Sequence, residues 1–257
     1  MSKPKHLSYP GTFCTLMPRG EGAHTMQSEG QRTLGLIHAS PAAIAPIIRY
    51  YHQHAPEFIL INLLDDGILT YFNREERSSA HRRIAALVST AQQEYHAAAA
   101  IVTCSSAAAE DLRRLEAEIH IPVLKIDEPM ARCAAAAGRR IAAMVTFEPT
   151  MEVTRRLLLA HGATEVRICL APGAYTALLN GDAAEHDRLV IESLEACAAA
   201  FDCVVLAQVS MAHLREEAQR RTGIPVFSSL ETSLEAIRAA FRRPDETRIH
   251  GRHSRYA

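Results

Sequence analysis

The stretch Ala99–Ser106, AAIVTCSS, constrains the fold of this chain more than any other, because the chain repeats it. Four apolar residues without polar alternation describe a strand buried on both faces, the kind found in parallel sheets covered by helices. The Cys-Ser-Ser at its end falls where such a strand gives way to a loop. Farther along, Cys203–Ser210, CVVLAQVS, has the same form. Cys104 and Gln208 lie 104 positions apart, while Pro122 and Pro225, each in an Ile-Pro-Val run, lie 103 apart. Ser40 and Glu148, each followed by proline, lie 108 apart. A nearly constant offset over several matched strands is the mark of an internal duplication.

The remaining segments fit that plan. Thr33–Ser40 reads as a first strand, and Pro41 opens a helix to about His54. Phe58–Leu64 is a second strand, Asp65-Asp66-Gly67 a loop, and residues 73–96 a helical pattern with Ile84, Leu87, Val88 and Ala91 on one face. A helical run follows from Ala107, then a short strand at Val123–Ile126. In the second half, strands are expected at 140–147, 165–170 and 203–210, with a helix over 183–200. Leu230–Phe241 is a last helix that crosses back to the first lobe. Strands alternating with helices specify parallel sheets with right-handed crossovers. The expected architecture is α/β: two similar lobes, each a four-stranded parallel sheet flanked by helices, related by a pseudo-twofold duplication with a cleft between them. The first lobe takes residues 33–128 plus 229–243 and the second 129–228. Residues 1–32 read as a loosely ordered extension and 244–257 as a polar tail, whose His250 and His253 read as solvated rather than metal-binding.

Composition excludes several functions. A net charge of −1 over 257 residues supplies no field for nucleic acid or a membrane surface. There is no apolar run of membrane-spanning length and no leader-like apolar stretch near Met1, so the expected location is the cytoplasm. Cys14, Cys104, Cys133, Cys169, Cys197 and Cys203 include no CxxC pair and are expected to be reduced thiols. Among them Cys104 stands out by position, at a strand end before a helix start, where free backbone amides favour the thiolate.

On Val102-Thr103-Cys104-Ser105-Ser106, Pro172-Gly173-Ala174-Tyr175 and the tandem α/β halves, residues 33–241 resemble the aspartate/glutamate racemase superfamily. That superfamily includes hydantoin racemases, maleate isomerase and arylmalonate decarboxylase. The resemblance implies a homodimer, and catalysis with neither metal nor organic cofactor, by two cysteines facing each other across a small carboxylate substrate. Cys104 matches the first cysteine; Gln208 stands where the second belongs. An amide carries no usable proton near neutral pH, so Gln208 is left to bind a carboxylate or enediolate.

Three functions are therefore in contention. One is a cofactor-independent racemase or isomerase of a small carboxylic acid, such as an amino acid, with Cys104 as acid/base or nucleophile. The second is a decarboxylase in which Cys104 is the lone proton donor, and the third a carboxylate-binding protein without catalysis. Racemisation needs a second acid, for which the candidates are Glu148 and His38, with His213, Asp65 and Asp66 behind them. Ser105, Ser106, Thr146, Thr150 and Ser210 fall at strand ends or helix starts, where hydroxyls and amides bind an anion. Tyr175 either contacts substrate or packs the wall between the lobes. Lys125 is the one cation within these motifs, and no glycine-rich phosphate loop is present.

Overall fold

The computed structural model describes residues 31–242. Expectations for the first 30 residues, Cys14 among them, and for the tail with His250 and His253 lie outside the described residues. The first half runs β1 (Arg32–His38), a 3₁₀ turn at Pro41–Ala43, α1 (Ile44–His54), β2 (Phe58–Leu64), α2 (Gly67–Asn73), α3 (Arg77–Tyr95), β3 (Ala99–Val102), α4 (Ala109–Glu118) and β4 (Val123–Lys125). Its strands form a parallel sheet in the order β2-β1-β3-β4. The second half runs α5 (Glu128–Ala137), β5 (Arg140–Val145), α6 (Thr150–Ala160), β6 (Glu165–Leu170), α7 (Ala174–Leu179), α8 (Ala183–Ala198), β7 (Cys203–Leu206), a 3₁₀ stretch at Val209–Leu214, α9 (Arg215–Thr222), β8 (Val226–Ser228) and α10 (Ser229–Phe241). Its sheet, β6-β5-β7-β8, is parallel and repeats the order of the first.

Two-sided burial explains the sequence of the central strands. In β3 the period of two sends Ala99 and Ile101 to one face, with Leu34, Leu36 and Tyr51. Ala100 and Val102 go to the other, with Ile37, Ile84 and Val88. Both faces are apolar, so no alternation shows. The small residues admit close packing: a Cβ at Gly35 of β1 would lie 2.8 Å from the Ala91 Cβ on α3. α10 packs on the first sheet through Leu230, Leu234 and Ile237, and Tyr51 and Ser233 hydroxyls meet there at 3.0 Å.

The structure departs from the sequence reading in several places. β7 ends at Leu206 and a 3₁₀ stretch runs from Val209, where a strand was expected to reach Ser210, and α3 begins at Arg77 rather than at residue 73. Gly67 reads as loop and residues 68–72 carry no assignment, but Gly67–Asn73 is a helix, because Ile68 and Phe72, one turn apart, bury completely or nearly so in the first core. The helix after Cys104 begins at Ala109, not Ala107, and a turn occupies the residues between. Finally, Cys169 on β6 and Cys197 on α8 form a disulfide, whereas all cysteines were expected reduced. Their spacing of 28 residues gives no sequence signature, and the packing of α8 on β6 brings their Cα atoms within 6.1 Å. No described helix is long and apolar enough to cross a membrane.

Candidate active site

In each sheet the two central strands send their connections to opposite sides, β1 toward β2 and β3 toward β4, and likewise β5 and β7. Loops part at such a switch point and leave a crevice beyond the strand ends. The residue two beyond each central strand then enters the site: Ser40 after β1, Cys104 after β3, Phe147 after β5 and Gln208 after β7. All four line one cavity of about 60 Å³, room for several waters or a small acid.

Hydrogen bonds fasten the two sides of this cavity together. The Ser105 hydroxyl donates to the Ala207 carbonyl at 2.8 Å, joining the Cys104 turn to the end of β7. Ser40 and Tyr175 hydroxyls lie 3.1 Å apart. Tyr175 is delivered by Gly173, whose φ of +79° suits a residue without a Cβ and turns the chain from β6 into α7. Its ring packs on Phe147 with centroids 5.0 Å apart. The Thr146 amide donates to Gln208 Oε1 at 2.8 Å, which leaves the Gln208 NH₂ as a donor for ligand. Thr150 donates to the Phe147 carbonyl at 2.6 Å. The Ser106 hydroxyl is buried without a nitrogen or oxygen partner, and Ser210 completes the polar lining.

Burial pushes the Cys104 thiol above its ordinary range. The Ser106 and Ala107 amides, the Lys125 charge and the Ser106 hydroxyl pull the other way without reversing it. The expectation that a helix start lowers this thiol is thus corrected: the amides belong to a turn, and desolvation outweighs them.

Cys104, Ser105, Ser106, Thr150, Tyr175, Gln208 and Ser210 are brought to the cavity. Thr146 stands just behind Gln208, buried, its hydroxyl unpartnered. Glu148 and His38 are not brought there. Glu148 is exposed, because the position equivalent to Ser40 belongs to Phe147 and the next side chain points away. His38 is fully buried within the first sheet's core: Nε2–H donates to Asn62 Oδ1 at 3.0 Å, and Nδ1 lies 2.9 Å from Thr103 Oγ1. Burial pushes this imidazole below its usual value, against the Asn62 bond, so it is a neutral support beneath Thr103. His213 is turned to Asp187 at 2.8 Å, and Asp65 to Arg83. Sequence reasoning missed Ser40, Leu69, Phe147 and Val209 as site residues. Phe147 falls inside the strand expected over 140–147, whereas β5 ends at Val145 and puts it two past the strand; Leu69 required recognising α2.

Residues 39–237 match the family described as Asp/Glu/hydantoin racemase. The chain belongs to that family. A glutamate racemase from Bacillus anthracis is similar in structure, at 19% identity over 82% of each chain with a TM-score of 0.64. An allantoin racemase from Pseudomonas fluorescens is similar at 17% identity, over 80% of this chain and 89% of that one, with a TM-score of 0.60. A liganded double variant of arylmalonate decarboxylase shares 20% identity over 82% of this chain and 93% of its own, with a TM-score of 0.55. Among curated protein sequences nothing matches. Within the racemase fold, then, this member presents a cysteine from one sheet and a glutamine from the other.

Proposed function

We propose that the protein is a cofactor-independent racemase or isomerase of a small carboxylic acid, with Cys104 and Tyr175 as its proton-transfer groups. One observation carries this reading: among the described residues, Cys104 and Tyr175 are the only titratable side chains that line the cavity, and they follow strands of different sheets, Cys104 after β3 and Tyr175 after β6. Two-face proton transfer needs one group on each side of the reacting carbon. As thiolate, Cys104 takes the α-proton; the C–H bond breaks, an S–H bond forms, and the electron pair passes into an enediolate. The Tyr175 hydroxyl then protonates the opposite face. Reversal of the two roles serves the other enantiomer. Ser106, Ser210 and the Gln208 NH₂ are donors for the enediolate oxygens, whose charge grows in the transition state. Among the described residues no Asp or Glu lines the cavity, which favours substrates without a free ammonium group on the reacting carbon. The homodimer that family membership implies belongs to the same proposal.

Decarboxylation is the second reading, favoured by Gln208 in place of an acid and by the burial that shifts the Cys104 thiol toward its protonated form. In that reaction the C–CO₂ bond breaks first and Cys104 delivers the single proton. A panel of chiral 2-substituted carboxylic acids and hydantoins, incubated in D₂O and followed by NMR and chiral chromatography, tests both. Racemisation with deuterium uptake, lost in Cys104→Ala and reduced to exchange without inversion in Tyr175→Phe, is the expected result. Release of CO₂ from malonates without racemisation would move the assignment to the lyase. Ligand binding that survives Cys104→Ser, with no exchange, would leave a binding protein.

A further inference from the structure

Behind the turn that carries Cys104 lies a charged pair with almost no access to water. Lys125, the last residue of β4, and Asp127 are each 1% exposed, and the Lys125 ammonium pairs with Asp127 Oδ1. The same Nζ donates to the Ser105 carbonyl at 3.4 Å, and Asp127 Oδ2 has no hydrogen-bond partner. A buried ion pair contributes little net stability, because desolvation of both charges offsets their attraction. Packing alone gives no reason to keep one here.

The duplication supplies an internal control. Lys125 stands in register with Val102, two residues before Cys104. In the second sheet Ser228 stands in register with Leu206, two residues before Gln208. The place of Asp127 is taken there by Leu230, a buried apolar residue. So the half that carries the thiol has the ion pair, and the half that carries the amide has serine and leucine.

We propose that Lys125 is a positioning residue for Cys104: it holds the turn by the Ser105 carbonyl and places a positive charge behind the sulfur, while Asp127 sets how much of that charge the sulfur feels. This rests on the reading of Cys104 as the proton-transfer thiol. Lys125 favours the thiolate, and burial of Asp127 raises its carboxyl against the pull of Lys125. Among the described residues, the other titratable groups facing this turn are Tyr175 across the cavity and His38 behind Thr103. Glu128, next to Asp127, faces Arg113 at 3.2 Å and His161 at 3.5 Å.

The test is a pH titration of the Cys104 ¹³Cβ NMR signal in the full chain, assigned by its loss in Cys104→Ser. Lys125→Met should raise the midpoint by about one pH unit, a tenfold loss of thiolate at a given pH. Asp127→Asn should lower it, since it frees the ammonium of its counter-charge. The double variant Lys125→Met/Asp127→Leu copies the other half's lack of charge, is spared an unpaired buried ion, and should titrate as Lys125→Met does. Opposite shifts in the single variants, or a raised midpoint in the double variant where a single one fails to fold, support the proposal. An unchanged midpoint in the double variant, or single variants that shift together, overturns it. The readout needs no substrate, so it separates from the catalytic assignment: loss of deuterium exchange in Cys104→Ala with no midpoint shift would refute the role of Lys125 alone.

Discussion

Ser105→Ala isolates the contact that couples the two sides of the cavity. Ser105, 6% exposed, donates a hydrogen bond from its hydroxyl to the Ala207 carbonyl at 2.8 Å across 102 residues of sequence. Alanine takes away the donor and leaves a buried carbonyl short of it, a loss of about 1–3 kcal/mol when water does not reach the site. Little else changes, since the removed atom leaves a void smaller than a methyl group. For a chain of this size each kcal/mol lowers Tm by roughly 2–4 °C, so the expected drop is about 2–12 °C. Urea unfolding should show the same loss in midpoint with an unchanged slope. The Cys104 turn is also fastened at its far side by Lys125, so its position should loosen rather than collapse, and catalysis should fall more than binding. A loss below about 0.5 kcal/mol would mean that water replaces the serine, in the range of an ordinary surface change. It would refute the view that this bond closes the cavity floor.

Three further outcomes follow from the geometry. Burial lowers the His38 pKa in the folded state below 6.5, so between pH 6.5 and that lower value the unfolded chain binds more of this proton than the folded chain does. Stability should therefore fall as pH drops through that interval, by up to about 1.4 kcal/mol per pH unit, and His38→Gln should flatten the slope in urea titrations between pH 5 and 7. Breaking the Cys169–Cys197 link, with a loop of 28 residues, should cost about 3.6 kcal/mol by chain entropy; dithiothreitol on the wild type should match Cys169→Ser, and an unchanged Tm would contradict the bond. Gln208→Leu deprives the Thr146 amide of its acceptor at a cost of about 1–3 kcal/mol, and a KM for substrate that stays at the wild-type value would show that Gln208 does not touch it.

What this chain's sequence determined by itself was whatever depends on neighbours along the chain. The alternation of strand and helix, the doubling, and the emergence of Cys104 and Gln208 at equivalent strand ends all follow from local periodicity and a fixed offset. Side-chain surroundings depend on residues far away in sequence, and there only the tertiary structure decided. His38 ends a central strand as a catalytic residue might, yet it is fully buried and bonds to Asn62 and Thr103 rather than lining the cavity. Glu148 stands beside the cavity in sequence, but its neighbour Phe147 takes the inward place. The Cys169–Cys197 bond and the Lys125–Asp127 pair under the Ser105 carbonyl arise only when a helix packs on a strand or a turn closes over its neighbour. Even the Cys104 thiol shows the division: its place was legible from the strand, while its proton affinity is set by how completely both halves exclude water from it.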